Sequence, residues 1–564
     1  MSALGWDRAD IILVSGDSYI DSPFIGVAII GRVLMAAGFK TAIIPQPDVT
    51  HERDISRLGE PILFWGVTGG AVDSMVANYT AGFKKRRNDD FTPGGHNTKR
   101  PDRAVIRYSN LIRQYFKNTV PIVLGGIEAS LRRISHYDVW SGTIRKSILF
   151  DAKADALVYG MGEKTTLELA YALKEKRDIT EIRGLCTISK HPKPEYVELP
   201  SHDAVANDPH AFITMFREFY VNQDPVTAQG LYQRQGDRYL IHTPPSPHLT
   251  PKELDTVYEL PFQRNLHPRE QAMGTVKALD TIRFSIVTHR GCYGECRFCA
   301  IAVHQGRTVS SRSEASILRE AETLTRHPLF RGVIQDAGGP TANMFGFECS
   351  KKSIQGACKD KACLFPRVCP SLKPNHGSLI RLFKALRHIP GVKHVFTASG
   401  IRPDLVYADG KHGRAYLEAI VRHHVSGQLK IAPEHSEKEV LDLMGKPGMN
   451  DILRFKKDFE SLSKKVGKKQ FLTYYIIAAH PGCELHHMKK FKDFARRHIG
   501  LLPEQVQVFT ATPCTYATLM YATGIDPFSG RTIFVERSTQ NSEKQKSIVM
   551  PPARSRKIVK KKKR

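Results

Sequence analysis

The sequence predicts an α/β protein in two parts. A Rossmann-like domain with a doubly wound parallel sheet comes first, and a partial or full (β/α) barrel follows. Three observations predict it. Short β-rich runs alternate with helical stretches along most of the chain, several of the early runs end in glycine, and six or so strand–helix units recur between residues 272 and 537. At 564 residues the chain is also too long for one compact core.

In the first part, residues 10–14 (DIILV) read as a strand. An apolar-periodic helix follows over 25–37, with Gly38 where a helix-terminating glycine belongs. Residues 41–44, 61–65, 121–124 and 156–159 are the next strands, and the last two run into Gly125-Gly126 and Gly160. The segment 84–103 is basic and rich in Gly, Asn and Asp, and is expected as an exposed loop. The proline-rich text from 191 to 270 is expected to bridge the two domains. Strands of the second part are expected at 282–287, 332–335, 394–398, 429–431, 471–477 and 505–509, with helices such as 313–324 and 452–465 between them. The expected boundaries are therefore 1–190, 191–270 and 271–537, with a Cys-rich insertion at 349–370. Residues 538–564 are expected as a disordered basic tail.

Composition narrows the function. Hydrophobic residues make up 41% and charged residues 25%, the usual balance of a globular protein. No apolar run reaches the roughly 18 residues of a membrane span, and the first thirty residues lack the pattern of a secretory leader. No membrane partner and a cytoplasmic location are expected. Lys and Arg number 83 against 56 Asp and Glu, a formal +27, and removing the tail from Pro551 still leaves +19. Such an excess attracts polyanions and points to RNA as a possible partner, although solvated faces also carry charge.

The chemistry is carried by cysteines. RGCYGECRFCA holds Cys292, Cys296 and Cys299 with the spacing Cys-x3-Cys-x2-Cys, on the loop after the first strand of the second series. Thiolates are soft donors suited to iron–sulfur clusters or zinc. Three on one short loop can hold three irons of a cubane and leave the fourth open. A zinc knuckle completed by His289 or His304 is the plainer alternative, but structural zinc sites usually pair Cys-x2-Cys units. A second set, Cys349, Cys358, Cys363 and Cys369, spaced x8, x4 and x5, offers a second metal or cluster, or else reduced thiols in a Lys-rich insertion. Cys483 and Cys514 follow barrel strands, and Cys186 is expected in the core.

The triad is the hallmark of the radical S-adenosylmethionine (SAM) superfamily. IRFSIVTHRGCYGECRFCAIAVHQGRTVSSRS, DAGGPTANMFG, FTASGIRPDL, LKIAPEHS, YYIIAAHPGC and VQVFTATPCTYATLMYATGIDP resemble successive blocks of the YgiQ-type radical SAM proteins. The resemblance covers roughly residues 8 to 537. It implies a 4Fe–4S cluster whose open iron binds the amino and carboxylate groups of SAM. A reducing electron donor then drives cleavage to methionine and a 5′-deoxyadenosyl radical, which acts on a substrate the family does not name. It further implies that Phe298 borders the adenine and that Gly338 and Gly339 approach the methionyl amine. Pro340 stands where an acidic residue usually follows those glycines.

Ser399 and Arg402 match positions for ribose and carboxylate contacts, although Arg402 could instead pair with Asp404 or Glu434. Glu434 and His435 aim at the barrel mouth, where substrate binding, proton transfer and a simple hydrogen bond all remain open. TPCTYATLMY vaguely resembles the end of methylthiotransferase barrels, which suits RNA or ribonucleoprotein as a target. The first domain resembles the cobalamin-binding type. In its Asp-x-His-x2-Gly pattern Asp21 and Gly26 match but Pro23 replaces the histidine, so cobalamin is not expected. Two other classes compete: a non-catalytic metal protein that binds nucleic acid, and an iron or redox sensor.

Overall fold

Strand β1 (Ile11–Ser15) is buried along its whole length, as a central strand of a sheet covered on both faces must be. It pairs in parallel with β2 (Thr41–Pro45) on one side and β3 (Phe64–Thr68) on the other. Strands β4 (Ile122–Gly125) and β5 (Ala156–Val158) continue beyond β3, also parallel. The parallel order is thus 2-1-3-4-5, and its reversal at β1 and β3 opens a crevice at the carboxyl ends of those strands. The computed structural model describes residues 4–500, 502–503 and 505–550, in two compact units. Among the described residues no helix is long and apolar enough to cross a membrane.

The first unit consists of Met1–Ser285 with Val303–Gly306 and Gln355–Ala357. Helix α1 (Gly26–Ala36) buries Val27, Ala28, Ile29 and Leu34, as the periodicity predicts. The third strand begins three residues later than the sequence reading, because Pro61, Ile62 and Leu63 form the approach, with Ile62 and Leu63 donating to Ala9 and Asp10. The expected bridge at 191–270 is not a bridge. Strands β7 (Val197–Leu199), β8 (Leu231–Gln235) and β9 (Arg238–His242) join the same sheet through β6 (Leu185–Ser189), in the order β7-β8-β9-β6-β5. The two-residue turn Gly236-Asp237, with Gly236 at φ +80°, closes the β8–β9 hairpin. Asn265–Leu266 pairs back onto Ile20–Asp21, so the unit continues to Ser285.

The loop 84–103 is exposed only in part. Phe83 to Asn88 are exposed, whereas Asp89, Thr92, Asn97 and Arg100 are buried.

In the second unit the strands are β10 (Ser285–Val287), β11 (Val333–Ile334), β12 (Asp336–Gly338), β13 (His394–Val395), β14 (Gln428–Glu434), β15 (Phe471–Ala478) and β16 (Gln505–Val508). β10 pairs with β12, and β11 runs parallel to β13. A parallel bridge from Ile401 to Ile431 leads on to β14, and β14, β15 and β16 are parallel neighbours. Pairing in chain order across six strand–helix units is the arrangement of a partial (β/α) barrel. Helix α2 (Glu314–Thr325) begins at Ser313, whose hydroxyl accepts from the Ser316 amide.

Residues 538–550, expected as part of a disordered tail, contain helix α3 (Thr539–Val549). It buries Ser542, Gln545 and Val549, so its inward stripe is mostly polar and carries no hydrophobic signal. Gln545 accepts from the Ala479 amide at 2.9 Å and donates to the Cys483 carbonyl at 3.0 Å, holding the loop that leaves β15. Pro551 to Arg564 lie outside the described residues. Gln545→Ala leaves two buried backbone groups unpaired and is expected to cost about 1–3 kcal/mol in urea denaturation. A chain ending at Met550 is expected to match the full-length protein in that assay and in SAM cleavage.

Candidate metal and SAM site

The loop carrying the triad is anchored before any metal is considered. Arg297 donates its amide to the Met444 carbonyl at 2.9 Å, and its own carbonyl accepts from Ala517 at 2.8 Å. Its guanidinium donates to Asp442 O at 2.8 Å and lies 3.6 Å over the Phe528 ring. The residue between two of the triad cysteines is therefore tied to segments that follow β14 and β16. Cys299 donates its amide to Cys296 O, which turns the loop back on itself.

Two of the three sulfurs, those of Cys292 and Cys296, lie beside Gly294. A Cβ there would lie 3.3 Å from Cys292 Sγ, 3.5 Å from Cys296 Sγ and 3.6 Å from Arg402 Nη1. A side chain there would press against both sulfurs and the guanidinium, and glycine keeps that space clear. Burial raises the Cys292 thiol, and Cys296 beside it adds to the effect. Burial, then Cys296, pushes Cys299 up to about 12. Left alone these thiols stay protonated, and a cationic centre is what removes the protons, since a coordinating thiol ionises outright. Three partly buried soft donors on one loop, with Arg402 beside them, fit an iron–sulfur cluster.

The neighbouring positions pack around this loop. Gly338 ends β12 and accepts from the Thr288 amide at 2.7 Å. A Cβ at Gly338 would meet Ser399 Oγ at 3.2 Å, and one at Gly339 would meet the His289 ring at 2.6 Å. His289 Nδ1 is 2.8 Å from Thr288 Oγ1, and His304 Nδ1 is 3.1 Å from Ser130 Oγ.

Ser399 donates to Asp336 Oδ2 at 2.5 Å, while the amides of Ala398 and Ser399 reach Asp336 Oδ1 at 2.8 and 3.2 Å. Burial raises the Asp336 carboxyl, and its part in the site rests on these three contacts, which the sequence does not show. Arg402 pairs with Asp404 through two hydrogen bonds of 2.9 and 2.5 Å and points Nη1 at Cys296 Sγ, 3.7 Å away. Burial works against that cation, but Asp404 outweighs it and the guanidinium stays charged. Asn343 donates to the Arg402 carbonyl and accepts from its amide, fixing the backbone there. Phe298 lies edge to face with His480 at 6.2 Å, and His480 with Phe509 at 5.2 Å.

The radical SAM N-terminal family model matches residues 1–285, and the radical SAM superfamily model matches residues 286–495. A UPF0313 protein of Fusobacterium nucleatum is 53% identical over 558 residues, covering 99% of this chain and 98% of its own. A UPF0313 protein of Thermotoga maritima is 49% identical, covering 98% and 97%. The chain belongs to the UPF0313 (YgiQ) family of radical SAM proteins. Membership implies a 4Fe–4S cluster and SAM. Among solved structures, the cobalamin-dependent SAM radical enzyme OxsB with aqua-cobalamin and SAM bound shares the fold, with a TM-score of 0.50, 12% identity, and coverage of 91% of this chain and 55% of that one.

Elsewhere in the radical SAM unit, non-glycine residues adopt left-handed conformations at the ends of β14 and β15, Glu434 (φ +67°) and Ala479 (φ +59°), and in the loop after β16, Cys514 (φ +59°). Such strain collects where a scaffold positions function. Glu434 is buried, and burial raises its carboxyl against the pull of Lys446 and Arg402. Of the two partners the sequence offers Arg402, Asp404 and Glu434, the structure pairs it with Asp404. Burial holds His435 down to about 3, and its Nε2 is 3.7 Å from Cys483 Sγ. Cys483 also lies 3.5 Å from Gln545 Oε1, and Cys186 sits in the core of β6.

The second cysteine set is drawn together only in part. Cys349, Cys363 and Cys369 pack with Tyr293, Phe347 and Leu364, whereas Cys358 is exposed. Tetrahedral zinc with Zn–S bonds of about 2.3 Å needs sulfurs about 3.8 Å apart. Among the described residues, Glu439, His486 and His487 are the group whose ligand atoms lie within 4.8 Å of one another, and no cysteines form such a group. In that group His487 Nδ1 accepts from the Glu484 amide at 3.0 Å, so the proton is on Nε2, donated to Glu439 at 2.6 Å. The arrangement is a hydrogen bond rather than a metal site.

In the first unit, a buried ion network lies at the carboxyl ends of β1 and β3. Arg100 donates to Asp17 Oδ1 at 2.7 Å, to Gly69 O at 2.7 Å and to Asp89 Oδ2 at 3.1 Å. Its side chain and that of Asp17 are fully buried. A Cβ on Gly70 would run into the Asp17 carboxylate, and one on Gly69 into Glu128. Asp21 is occupied by an ion pair with Arg32 and accepts from the Gln263 amide. The ring nitrogen of Pro23 is tied up in its peptide bond and offers a metal no lone pair.

Proposed function

We propose that this protein is a radical SAM enzyme in which Cys292, Cys296 and Cys299 hold a 4Fe–4S cluster and leave one iron open to SAM. The observation that carries the reading is the convergence of two triad sulfurs and the Arg402 guanidinium on the space kept clear by Gly294. When bound, the cluster and SAM supply a one-electron cleavage that yields methionine and a 5′-deoxyadenosyl radical. The chain's residues position and shield. Arg402, kept charged by Asp404, offers Nη1 beside the cluster cradle as a carboxylate partner. Asp336 fixes the Ser399 hydroxyl, Gly338 and Gly339 allow close backbone approach, and Phe298 supplies an aromatic wall.

RNA or ribonucleoprotein is the substrate class favoured by the formal charge of +27. The cytoplasm, where thiols stay reduced, is the compartment that suits it, with a cellular reductant as electron donor. We further propose that the first unit works without cobalamin, because Pro23 supplies no ligand and the Arg100 network lies at the switch point.

The test is anaerobic reconstitution with iron and sulfide, followed by dithionite and SAM. About four irons per chain with 5′-deoxyadenosine formed are expected. About eight irons would assign a second cluster to Cys349, Cys358, Cys363 and Cys369. A full cluster with neither the nucleoside nor any SAM-induced change in its electron paramagnetic resonance spectrum would overturn the reading in favour of a structural or sensing role.

A further inference from the structure

We propose that the hairpin tip from Tyr79 to Asn88, together with Trp140, is a binding surface for single-stranded RNA. The backbone first makes the tip a defined object. Tyr79 bridges Lys85, Phe83 donates its amide to Thr80 O, and Arg86 Nε donates to the carbonyls of Val76 and Tyr79. A second hairpin, His136–Asp138 with Thr143–Arg145, carries Trp140 in its turn. The two tips meet through aromatic rings: Phe83 is 5.2 Å from Trp140 in a T-shaped contact, and Tyr79 is 5.6 Å from it.

Two features set this cluster apart from ordinary packing. Phe83 is 45% exposed and sits at φ +58°, a conformation that bulky residues rarely adopt. Four cations follow it directly, Lys84, Lys85, Arg86 and Arg87, all exposed, with no acid between Tyr79 and Asn88. Among the described residues Lys84, Lys85 and Arg87 have no ion pair, and the nearby acids are committed: Asp102 accepts from Tyr79 Oη and Asn78, and Asp138 pairs with Arg103. In a T-shaped pair the ring that contributes its edge keeps both faces clear of its partner. Ring faces beside unpaired cations match unstacked bases on a phosphate backbone, which a closed duplex does not offer.

This inference rests on RNA as the target class but not on the SAM chemistry. The cluster-loaded protein is titrated with fluorescein-labelled oligouridine of about 12 nucleotides. Phe83→Ala is expected to weaken binding about tenfold. The combined Lys84→Gln, Lys85→Gln, Arg87→Gln variant is expected to lower affinity and to flatten the log K against log salt slope by about 2, three phosphates at about 0.7 each. Tryptophan fluorescence is expected to fall on binding in the wild type and not in Trp140→Phe. Each variant is expected to keep wild-type SAM cleavage, so failure here and failure of the radical SAM reading are separable. Equal binding of an RNA duplex, unaffected by Phe83→Ala, would reduce the surface to a nonspecific polyanion patch and overturn the proposal. Tighter binding to phosphatidylserine vesicles, lost in Phe83→Ala while RNA binding is not, would assign the tip to a membrane surface and overturn it as well.

Discussion

Cys292→Ala, Cys296→Ala and Cys299→Ala each lower 5′-deoxyadenosine formation below about a hundredth of the wild-type rate, with bound iron falling in parallel. Replacing a group that merely orients a metal ligand costs 10- to 100-fold, so loss of a ligand costs more. The fold is expected to survive, because the loop is tied through Arg297 to Met444 O and Ala517 N rather than through the sulfurs. Far-ultraviolet circular dichroism and the melting temperature of the apoprotein therefore stay at wild-type values. Normal cleavage by any one of the three variants would remove the triad from the mechanism. The set Cys349, Cys358, Cys363 and Cys369 serves as the comparison. Exposed Cys358→Ala is expected to keep both iron and cleavage.

Arg100→Ala destabilises the first unit by about 3–5 kcal/mol, the cost of leaving buried carboxylates without their partner. Arg100 joins Asp17, Asp89 and Gly69 O with its fork of donors, so Arg100→Lys recovers little. The pH dependence has a definite sign. Burial already raises the Asp17 carboxyl in the native state, in spite of Arg100, so its ionisation opposes folding. That contribution is absent in acid and grows as pH rises through the native pKa. Removing Arg100 raises the pKa further, so the variant loses most stability at pH 8 and least at pH 5 in urea denaturation. Replacing Asp17 and Asp89 by Asn together with Arg100→Met is expected to recover much of the loss, as apolar or neutral substitutes for a buried ion cluster often do. An Arg100→Ala protein as stable as wild type at pH 8 would show that the network does not stabilise the first unit.

The candidate site is legible in the sequence where residue type and spacing fall within one short loop, as they do for the triad. The positions of Gly338, Gly339, Ser399 and Arg402 rest instead on resemblance to the family. The features that escaped depend on contacts distant in sequence or on polar burial. Arg100 lies 83 positions from Asp17 and reads locally as one more cation in a polar loop. Gln545 belongs to a helix whose buried stripe is Ser, Gln and Val, so periodicity of apolar residues could not reveal it. The β8–β9 hairpin did leave a signal, Gly236-Asp237 between two apolar-containing runs, but the surrounding prolines hid it. Asp336 escaped for a subtler reason: a carboxylate inside a strand reads as a surface residue until its three hydrogen-bond donors are seen.

The ties from Arg297 to the segments after β14 and β16 also bear on what happens when the cluster is damaged. A metal site that exists only in the loaded state is lost with its metal, and the chain goes the way of an unfolded protein. Here the Gly294 amide donates to Cys292 Sγ at 3.3 Å, but the loop is also held by the Arg297 ties to Met444 and Ala517, which involve no sulfur. Loss of a bound cluster is therefore expected to leave those ties in place, so that reloading would call for iron and sulfide rather than for refolding.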